Sequence, residues 1–385
     1  MQSAKKELKM SNITFLLRMA TPILGVFLFA SSSFARVLFD EDFDNQPDWT
    51  ADEIFITNNN LLNFNTLQNW YFGLSRPTWS PKTGYPLKHP VAEVLASNTD
   101  KTRTGTGKSA VFWRESVQGG QFNSDSLQVY YFPEGVDELY VEFYITLSDE
   151  LIQAYYDGGI GQTKIFRAYY FNGNETALSD FFGDENKPSY NWDLSGDGTN
   201  GYGVRNFTSF LARGGNDFRG IIQGLPTSIQ GGGDASLWYS PSATKSKGIG
   251  GTNPVLTDYK NGGTITSGPV DVDQVFGDET RWVKMAFYVK MNSSPGVADG
   301  EQMQWLNDQR IVHTTNIPWI RAGFDMVKWN SVGIGGNAQF NIYPTADQKE
   351  DWYAIDDLII QEGMPDYLLK TQVSPPRPPT TIQVN

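Results

Sequence analysis

The stretch RWVKMAFYVKMNSSPGVADGEQMQWLNDQRIVH, residues 281–313, decides the fold of this chain. Between residues 283 and 290 apolar side chains alternate with polar or aromatic ones, which is the two-residue period of a β-strand with one face toward a core. Turn residues follow, and a second strand over 301–306 ends at the tight-turn signal Asn307-Asp308 before a third run begins. The stretch therefore predicts consecutive β-strands joined by turns.

The rest of the chain has the same character. Residues 138–147 give the cleanest alternation, and the 385 residues include 38 Gly, 18 Tyr, 24 Phe and 11 Trp, which suits a β protein with many turns. Short strands separated by turns, without alternating helices, predict a β-sandwich. Further strands are predicted over residues 36–43, 108–117, 127–132, 164–171, 206–213, 328–334, 338–342 and 352–361.

The two ends of the chain differ in composition from the middle. Residues 1–35 read as a secretory signal, with a basic start, a largely apolar run and a small-x-small cleavage site at residues 33–35. A single-pass membrane anchor is the alternative for this segment. Residues 36–368 are predicted to form one jelly-roll domain, and the Pro-rich residues 369–385 a disordered tail. The expected localisation is secreted or periplasmic, with no membrane contact after signal cleavage.

Charge and cysteine content exclude several classes of function. The formal net charge is −13 and becomes −16 without residues 1–35, since that segment carries four basic residues and one acidic residue. This acidity argues against a nucleic-acid partner, and an acidic substrate would need a local basic groove. The absence of cysteine excludes disulfides and thiolate metal sites, and two histidines are too few for a multi-histidine metal site.

A family resemblance rests on the opening stretch. The pattern W-x-K-x-x-x-x-V-K-x-N-x-x-P-G-x-A-D-G-x-x-x-x-W-x-N over residues 282–307 resembles the late strands of secreted concanavalin-like jelly rolls, most of all the polysaccharide lyase family 14 group. The resemblance implies an all-β, concanavalin-like jelly-roll β-sandwich of two antiparallel sheets with long loops. It also implies cleavage of a uronate-containing polysaccharide by β-elimination. The residues that carry it are Trp282, Lys290, Asn292, Pro295, Gly296, Asp299, Gly300, Trp305 and Asn307.

The resemblance also implies catalytic residues. β-Elimination needs a group that neutralises the uronate carboxylate, a base for the C5 proton and an acid for the leaving oxygen. Lys164, in the string GQTKIFR, and Tyr169 are assigned to catalysis, together with Ser209 and Arg213, whose spacing of four residues still gives one face of a strand. Arg167 is assigned to substrate binding. Because Arg167 and Tyr169 alternate with the face of Lys164, the three share a face only if the strand contains a bulge.

An aromatic and acidic strip is predicted on the strand over 138–147. Tyr140, Glu142 and Tyr144 share one face, as a sugar-binding sheet needs, although a solvated outer face has the same pattern. His313 is a further candidate for substrate contact, against the alternative of a structural or exposed histidine. The chain contains no E-x-D-x-x-E string of the jelly-roll glucanases, which disfavours glycoside hydrolysis.

A partial calcium loop is the one cofactor signal. Asp193, Ser195 and Asp197 supply oxygen ligands at positions 1, 3 and 5 with a glycine at position 6, but position 12 is Val204 and the bidentate glutamate is missing. The alternatives are a structural calcium completed by distant carboxylates and an Asx-turn cluster without an ion. A second candidate site, with strand-end solvation as the alternative, joins Asp40, Asp42, Asp356 and Asp357.

Three functions remain open from the sequence. The first is a secreted polysaccharide lyase acting on a uronate polymer, with polysaccharide as the partner. The second is a non-catalytic, lectin-like carbohydrate-binding sandwich, because a fold does not settle a function. The third is a structural surface or matrix protein that uses the sandwich for assembly. A basic groove beside a tyrosine would favour the lyase, and an exposed apolar sheet edge would favour assembly.

Overall fold

The computed structural model describes residues 35–51, 67–75, 90–114, 122–156, 160–173, 188–196, 204–213, 236–239, 256–258, 263–265, 275–277, 279–340 and 351–371. From Phe34 onward the contacts group the chain into one compact unit. The predicted signal segment and most of the predicted tail lie outside the described residues, so the predicted domain boundaries stay predictions.

Strands dominate the described residues, and short helices accompany them. These include the α-helices α1 (Asp149–Tyr156) and α2 (Asp366–Thr371) and a 3-10 helix over Thr99–Lys101. No helix in this part of the chain is long and apolar enough to cross a membrane. The strands are β1 (Arg36–Glu41), β2 (Trp49–Thr50), β3 (Phe72–Ser75), β4 (Ala92–Val94), β5 (Ala110–Trp113), β6 (Phe122–Val136), β7 (Glu138–Leu147), β8 (Ile160–Tyr169), β9 (Ser189–Gly196), β10 (Val204–Leu211), β11 (Ser236–Tyr239), β12 (Leu256–Asp258), β13 (Gly263–Ile265), β14 (Val283–Lys290), β15 (Gly300–Leu306), β16 (Gln309–Ile317), β17 (Trp329–Phe340) and β18 (Trp352–Glu362).

The strands form two large antiparallel sheets. A nine-stranded sheet has the order β16-β15-β14-β7-β18-β5-β4-β2, with β1 paired to β18 as well. A seven-stranded sheet has the order β11-β10-β9-β8-β17-β6-β3, and β12 and β13 form a separate pair. The predicted jelly-roll β-sandwich of two antiparallel sheets is therefore confirmed.

An aromatic cluster joins the two sheets at the centre of the core. Phe287 of β14 stacks on Phe166 of β8 with ring centroids 4.4 Å apart, and its centroid lies 5.3 Å from Trp192 of β9 and 5.8 Å from Phe143 of β7. The alternation in β7 and β14 sends these rings to the same side of their sheet. Each such aromatic pair contributes about 0.5–1.5 kcal/mol beyond the area that it buries.

The motif residues of the opening stretch stabilise turns. The side-chain amide of Asn292 donates to the backbone carbonyl of Ile320 at 3.1 Å and accepts from the amide of Ile320 at 2.8 Å. The tight turn between β15 and β16 has positive φ at both central residues, 45° at Asn307 and 64° at Asp308, as a two-residue hairpin requires. Asn292 and Asn307 of the motif therefore support the fold.

Two predicted segments are corrected by the structure. The strands predicted over residues 328–334 and 338–342 are joined in the single strand β17 (Trp329–Phe340), in which Gly335 and Gly336 adopt φ values of 92° and 142°. Residues 341 and 342 lie outside the described residues. No strand is predicted between residues 171 and 206, but β9 lies there, because Tyr190, Trp192 and Leu194 alternate into the core.

Candidate functional site

A β-bulge in β8 creates the candidate site. Lys164 pairs with Asp193 of β9, but the next pair is Phe166 with Trp192, so Ile165 is an additional residue on the β8 side. Both Ile165 and Phe166 are buried in the core between the sheets. After a bulge of one residue the side chains alternate again, but each one points to the side opposite to that expected from a regular strand. It therefore brings Lys164 to the same face as Arg167 and Tyr169.

The pairing with β9 identifies this face as the outer one. Lys164, Arg167 and Tyr169 pair with Asp193, Asn191 and Ser189, which stand at alternate positions of β9. The residues between these three partners, Tyr190 and Trp192, point into the core, so the three partners point away from it. The side chains of this row therefore lie on the face of the seven-stranded sheet that looks away from the other sheet.

A glycine in β17 gives the two basic side chains room to meet. A Cβ atom added to Gly336 would lie 2.7 Å from Cβ of Lys164 and 3.3 Å from Nη2 of Arg167. The φ of +142° at Gly336 is also one that other residues rarely adopt. Since the register of β17 against β8 shifts between Ile334 and Ala338, the sheet is irregular on both sides of Lys164.

The three basic and aromatic residues differ in exposure. Lys164 is half-buried, whereas Arg167 is 8% exposed and Tyr169 is 1% exposed. Burial raises the pKa of Tyr169 above its ordinary value, although the nearby Arg167 guanidinium lowers it, so the hydroxyl keeps its proton at neutral pH. Lys164 is thus the member of the row that a ligand reaches first, with Arg167 behind it.

Ser209 lies in the same row, and Arg213 does not. In β10, Ser209 pairs with Asn191, which in turn pairs with Arg167. The strand ends at Leu211, and Arg213 forms an isolated parallel bridge with Ile320. Because the strand does not continue to Arg213, the predicted common strand face of Ser209 and Arg213 is not formed. The guanidinium carbon of Arg213 lies 5.8 Å from the ring centroid of Tyr170.

The predicted strip on β7 lies on the other sheet. The hydroxyl groups of Tyr140 and Tyr367 donate to Oε2 of Glu142 at 2.5 and 2.8 Å, and Arg103 lies 4.2 Å from the ring centroid of Tyr144. These side chains occupy the outer face of the nine-stranded sheet, where α2 also packs. The structure therefore separates them from Lys164 by the full thickness of the sandwich, and one ligand cannot contact both sets.

The predicted histidine belongs to the same separate face. His313 of β16 pairs with Met303 of β15. Met303 in turn pairs with Tyr288 of β14, and Tyr288 pairs with Tyr140 of β7. The register thus places His313 in the Tyr140 row at the edge of the nine-stranded sheet. The separation was not foreseen because alternation gives the face of a strand but not the sheet that the strand joins.

The predicted partial calcium loop lies only partly within the described residues. Asp193 and Ser195 are part of the extended strand β9, and Asp197 lies outside the described residues. The carboxylate of Asp193 is buried and accepts a hydrogen bond from the Gln162 amide at 2.5 Å. Because Asp197 and the residues that would complete the turn lie outside the described part of the chain, the calcium loop stays a prediction. Among the described residues no group of three or more His, Cys, Asp or Glu side chains could hold a metal.

The four carboxylates of the second candidate calcium site lie in two different environments. Asp40 and Asp42 line a polar cleft of about 440 Å³ with Asn45 and Asn69. Asp356 is 7% exposed at a bulge of β18, and burial, followed by the charge of Asp357, raises its pKa to about 7. The sequence did not single out Asp356 as a perturbed group, since only its neighbours in space show that it is buried.

Sequence reasoning also missed Asn191 and Gln162 in the candidate site. Asn191 stands between Arg167 and Ser209 in one register row, and Gln162 binds Asp193. The alternation of the string SYNWDLSG was the signal that could have found Asn191, because every second residue is apolar. Together the described residues of this face include the half-buried Lys164, the Arg167 guanidinium, the Asn191 amide and the buried Asp193 carboxylate. The first three are suited to bind a carboxylate.

Comparisons with known proteins give only distant structural likenesses. No family model and no curated protein sequence matches the chain. Among solved structures it is similar to the PL-14 alginate lyase of Aplysia kurodai, with 9% identity, TM-score 0.38 and coverage of 71% of this chain and 87% of that one. It is similar to the endo-β-1,4-glucuronan lyase of Trichoderma reesei, with 8% identity, TM-score 0.35 and coverage of 81% and 96%. It is similar to a LamA variant of Z. galactanivorans in complex with laminaritriose and laminaritetraose, with 10% identity, TM-score 0.37 and coverage of 86% and 100%. Likenesses at this level carry no argument about activity.

Proposed function

We propose that this protein is a polysaccharide lyase that cleaves a uronate polymer by β-elimination on the outer face of its seven-stranded sheet. The observation that carries the proposal is the bulge at Ile165, which brings Lys164, Arg167 and Tyr169 to one face. A bulge interrupts ladder pairing, and bulges are common next to active sites, where they redirect a side chain. The acidity of the whole chain makes this local pair of basic residues a specific place for a polyanion.

Each residue has a role in the proposed reaction. The Arg167 guanidinium binds the uronate carboxylate and stabilises the negative charge that develops when the C5 proton leaves. Lys164 is the general base of this proposal, and the lone pair of its Nζ accepts that proton. The C4–O bond then breaks, a C4–C5 double bond forms, and the Lys164 ammonium returns the proton to the departing oxygen. Atoms and charges balance without a cofactor.

Three other residues support the site in this proposal. Tyr169, which was assigned to catalysis from the resemblance, is too deeply buried to reach a substrate in this structure, and we assign it a positioning role beside Arg167. Asn191 and Ser209 extend the row along which a polymer chain would lie. Secretion through residues 1–35 remains part of the proposal, because polymers of this kind are outside the cell. The structural calcium predicted at Asp193, Ser195 and Asp197 remains part of it as well.

The test is the ultraviolet absorbance of the unsaturated uronate that a lyase leaves. Mature protein is incubated with alginate, glucuronan and other uronate polymers, with and without calcium. We expect a rise on one polymer that Lys164→Ala and Arg167→Ala abolish. Lys290→Ala is the matched control, because Lys290 is an exposed lysine on the other sheet that pairs with Glu138. Equal loss in the control, or no rise on any polymer, would contradict the proposal.

One observation favours a second candidate, a non-catalytic carbohydrate-binding sandwich. Arg167 and Tyr169 are largely buried, so of the three residues that the bulge brings to this face only Lys164, which is half-buried, is offered to a ligand. A binding protein needs no group poised to take a proton, and a single accessible cation with neighbouring amides suffices to retain a polyanion. Retention of the protein in an affinity gel that contains the polymer, without any rise in absorbance, would establish this candidate instead.

A further inference from the structure

A buried arginine lies between the two sheets beneath the candidate site. Arg114 follows β5 directly and has no exposed surface. Its Nη1 donates to the backbone carbonyl of Trp113 at 2.7 Å, and its Nη2 donates to Oγ of Ser126 at 3.1 Å and to the hydroxyl of Tyr353 at 2.8 Å. Ser126 belongs to the seven-stranded sheet and Tyr353 to the nine-stranded one. The guanidinium therefore links the sheets from inside the core.

Tyr353 continues this link to the bulge. Its hydroxyl donates to the backbone carbonyl of Lys164 at 3.3 Å, while it accepts from Arg114 on its other side. Its ring is fully buried and stacks on Phe112, with centroids 5.1 Å apart and an interplanar angle of 19°. The hydroxyl thus has a fixed position, and its two hydrogen bonds run in one direction from the guanidinium to the carbonyl.

The carbonyl that receives this bond is at the place where the sheet is least regular. The register of β8 shifts between Lys164 and Phe166, and that of β17 shifts opposite it. Regular ladder pairing is interrupted at a bulge, so the backbone there needs another partner to hold one conformation. A hydrogen-bond donor that itself accepts from a cation is a strong partner, because the charge polarises the hydroxyl.

We propose that Arg114 and Tyr353 are positioning residues that fix the bulge and thereby the direction of the Lys164 side chain. The inference rests on the proposed function, in which Lys164 moves a proton. Neither residue touches the substrate, since both lie in the core behind the sheet. Loss of the Tyr353 hydroxyl would remove this hydrogen bond at the bulge and let β8 exchange between conformations, while the stacked ring keeps the core packed.

The test compares two tyrosine variants by amide hydrogen exchange and by kinetics. Tyr353→Phe removes the bond to Lys164, and Tyr130→Phe removes a bond of the same kind, from the Tyr130 hydroxyl to the Leu38 carbonyl at 3.0 Å. In Tyr353→Phe we expect peptides over residues 160–169 to exchange about tenfold faster. We expect kcat on the cleaved polymer to fall about tenfold with KM changed less than about twofold, whereas Tyr130→Phe changes neither.

A second variant tests the arginine without removing a buried charge. Ser126→Ala deletes one acceptor of Arg114 and should raise exchange over residues 160–169 by a smaller factor than Tyr353→Phe does. Unchanged exchange in Tyr353→Phe, or an equal change in Tyr130→Phe, would overturn the proposal. Hydrogen exchange needs no substrate, so it tests the role of Tyr353 even if the wild-type protein cleaves no polymer. A failure of the wild type to cleave any polymer would count against the lyase proposal alone.

Discussion

Replacement of Asp356 by asparagine should flatten the dependence of stability on pH. Asp356 is buried beside Tyr144 on β7, and the charges that face it are those of Asp357 and Arg103, which form an ion pair with each other. Burial and the neighbouring Asp357 carboxylate together outweigh the attraction of Arg103, so the pKa rises to about 7. Asparagine keeps the shape and the Oδ1 atom that accepts the Asp357 amide at 2.9 Å.

The sign and size of the effect follow from the two pKa values. At pH values below 3.8, the pKa of the carboxyl in the unfolded chain, the carboxyl is protonated in both states and does not lower the free energy of unfolding. As the pH rises from about 4 to about 7, the unfolded chain loses the proton and the folded protein keeps it, so the free energy of unfolding falls. The full shift corresponds to roughly 4 kcal/mol, and because Arg103 and Asp357 are about one-third exposed we expect about 1–3 kcal/mol after screening by water.

Urea unfolding from about pH 5 to about pH 8 measures this directly. The variant should gain stability over the wild type as the pH rises, with most of the gain between about pH 5 and about pH 7. Other carboxyls with raised pKa values, such as Glu41, contribute equally to both proteins and cancel in the difference. Asp325→Asn removes the same charge from an exposed position and should leave the slope unchanged. Parallel curves for the wild type and Asp356→Asn would refute the reasoning.

Three further predictions concern packing, and urea unfolding measures each. Gly336→Ala should lower the free energy of unfolding by about 2–4 kcal/mol, because the added Cβ meets Lys164 and the φ of +142° is strained for alanine. The control Gly323→Ala, with φ +90° and no atom within 4 Å of the added Cβ, should lower it by about 1 kcal/mol. Equal losses of stability in the two variants would contradict the close approach of Gly336 to Lys164. Leu368→Ala should cost about 2 kcal/mol and free α2, while the half-exposed neighbour in Leu369→Ala should change stability by less than about 0.5 kcal/mol. Phe287→Ala should cost about 3–5 kcal/mol, since its ring joins both sheets, and a loss below about 2 kcal/mol would show that the aromatic cluster adds little.

Local patterns predicted much of the sandwich. The strand over Glu138–Leu147 was predicted with its observed limits, and the turn at Asn307-Asp308 was predicted from residue types alone. Both depend on neighbours in sequence, through the alternation of side chains and the tolerance of positive φ. The fold class followed because such signals recur along the whole chain.

The site could be predicted only in part, because it depends on register between distant strands. The sequence indicated that Lys164, Arg167 and Tyr169 need a bulge to share a face, but the position of that bulge depends on β9 and β17, which lie far away in sequence. For the same reason Tyr140 was grouped with Lys164 although the structure places them on opposite sheets. Local alternation does not specify which strands become neighbours.

The place of β18 has a consequence for the order in which the protein assembles. This strand is the last one among the described residues, yet it pairs with β7, β5 and β1 in the interior of the nine-stranded sheet. Until residues 352–362 leave the ribosome, a growing chain therefore carries two separate groups of strands from this sheet, and β1 lacks its partner strand. Such late, long-range closure predicts slow folding and a period in which an incomplete chain is vulnerable to aggregation.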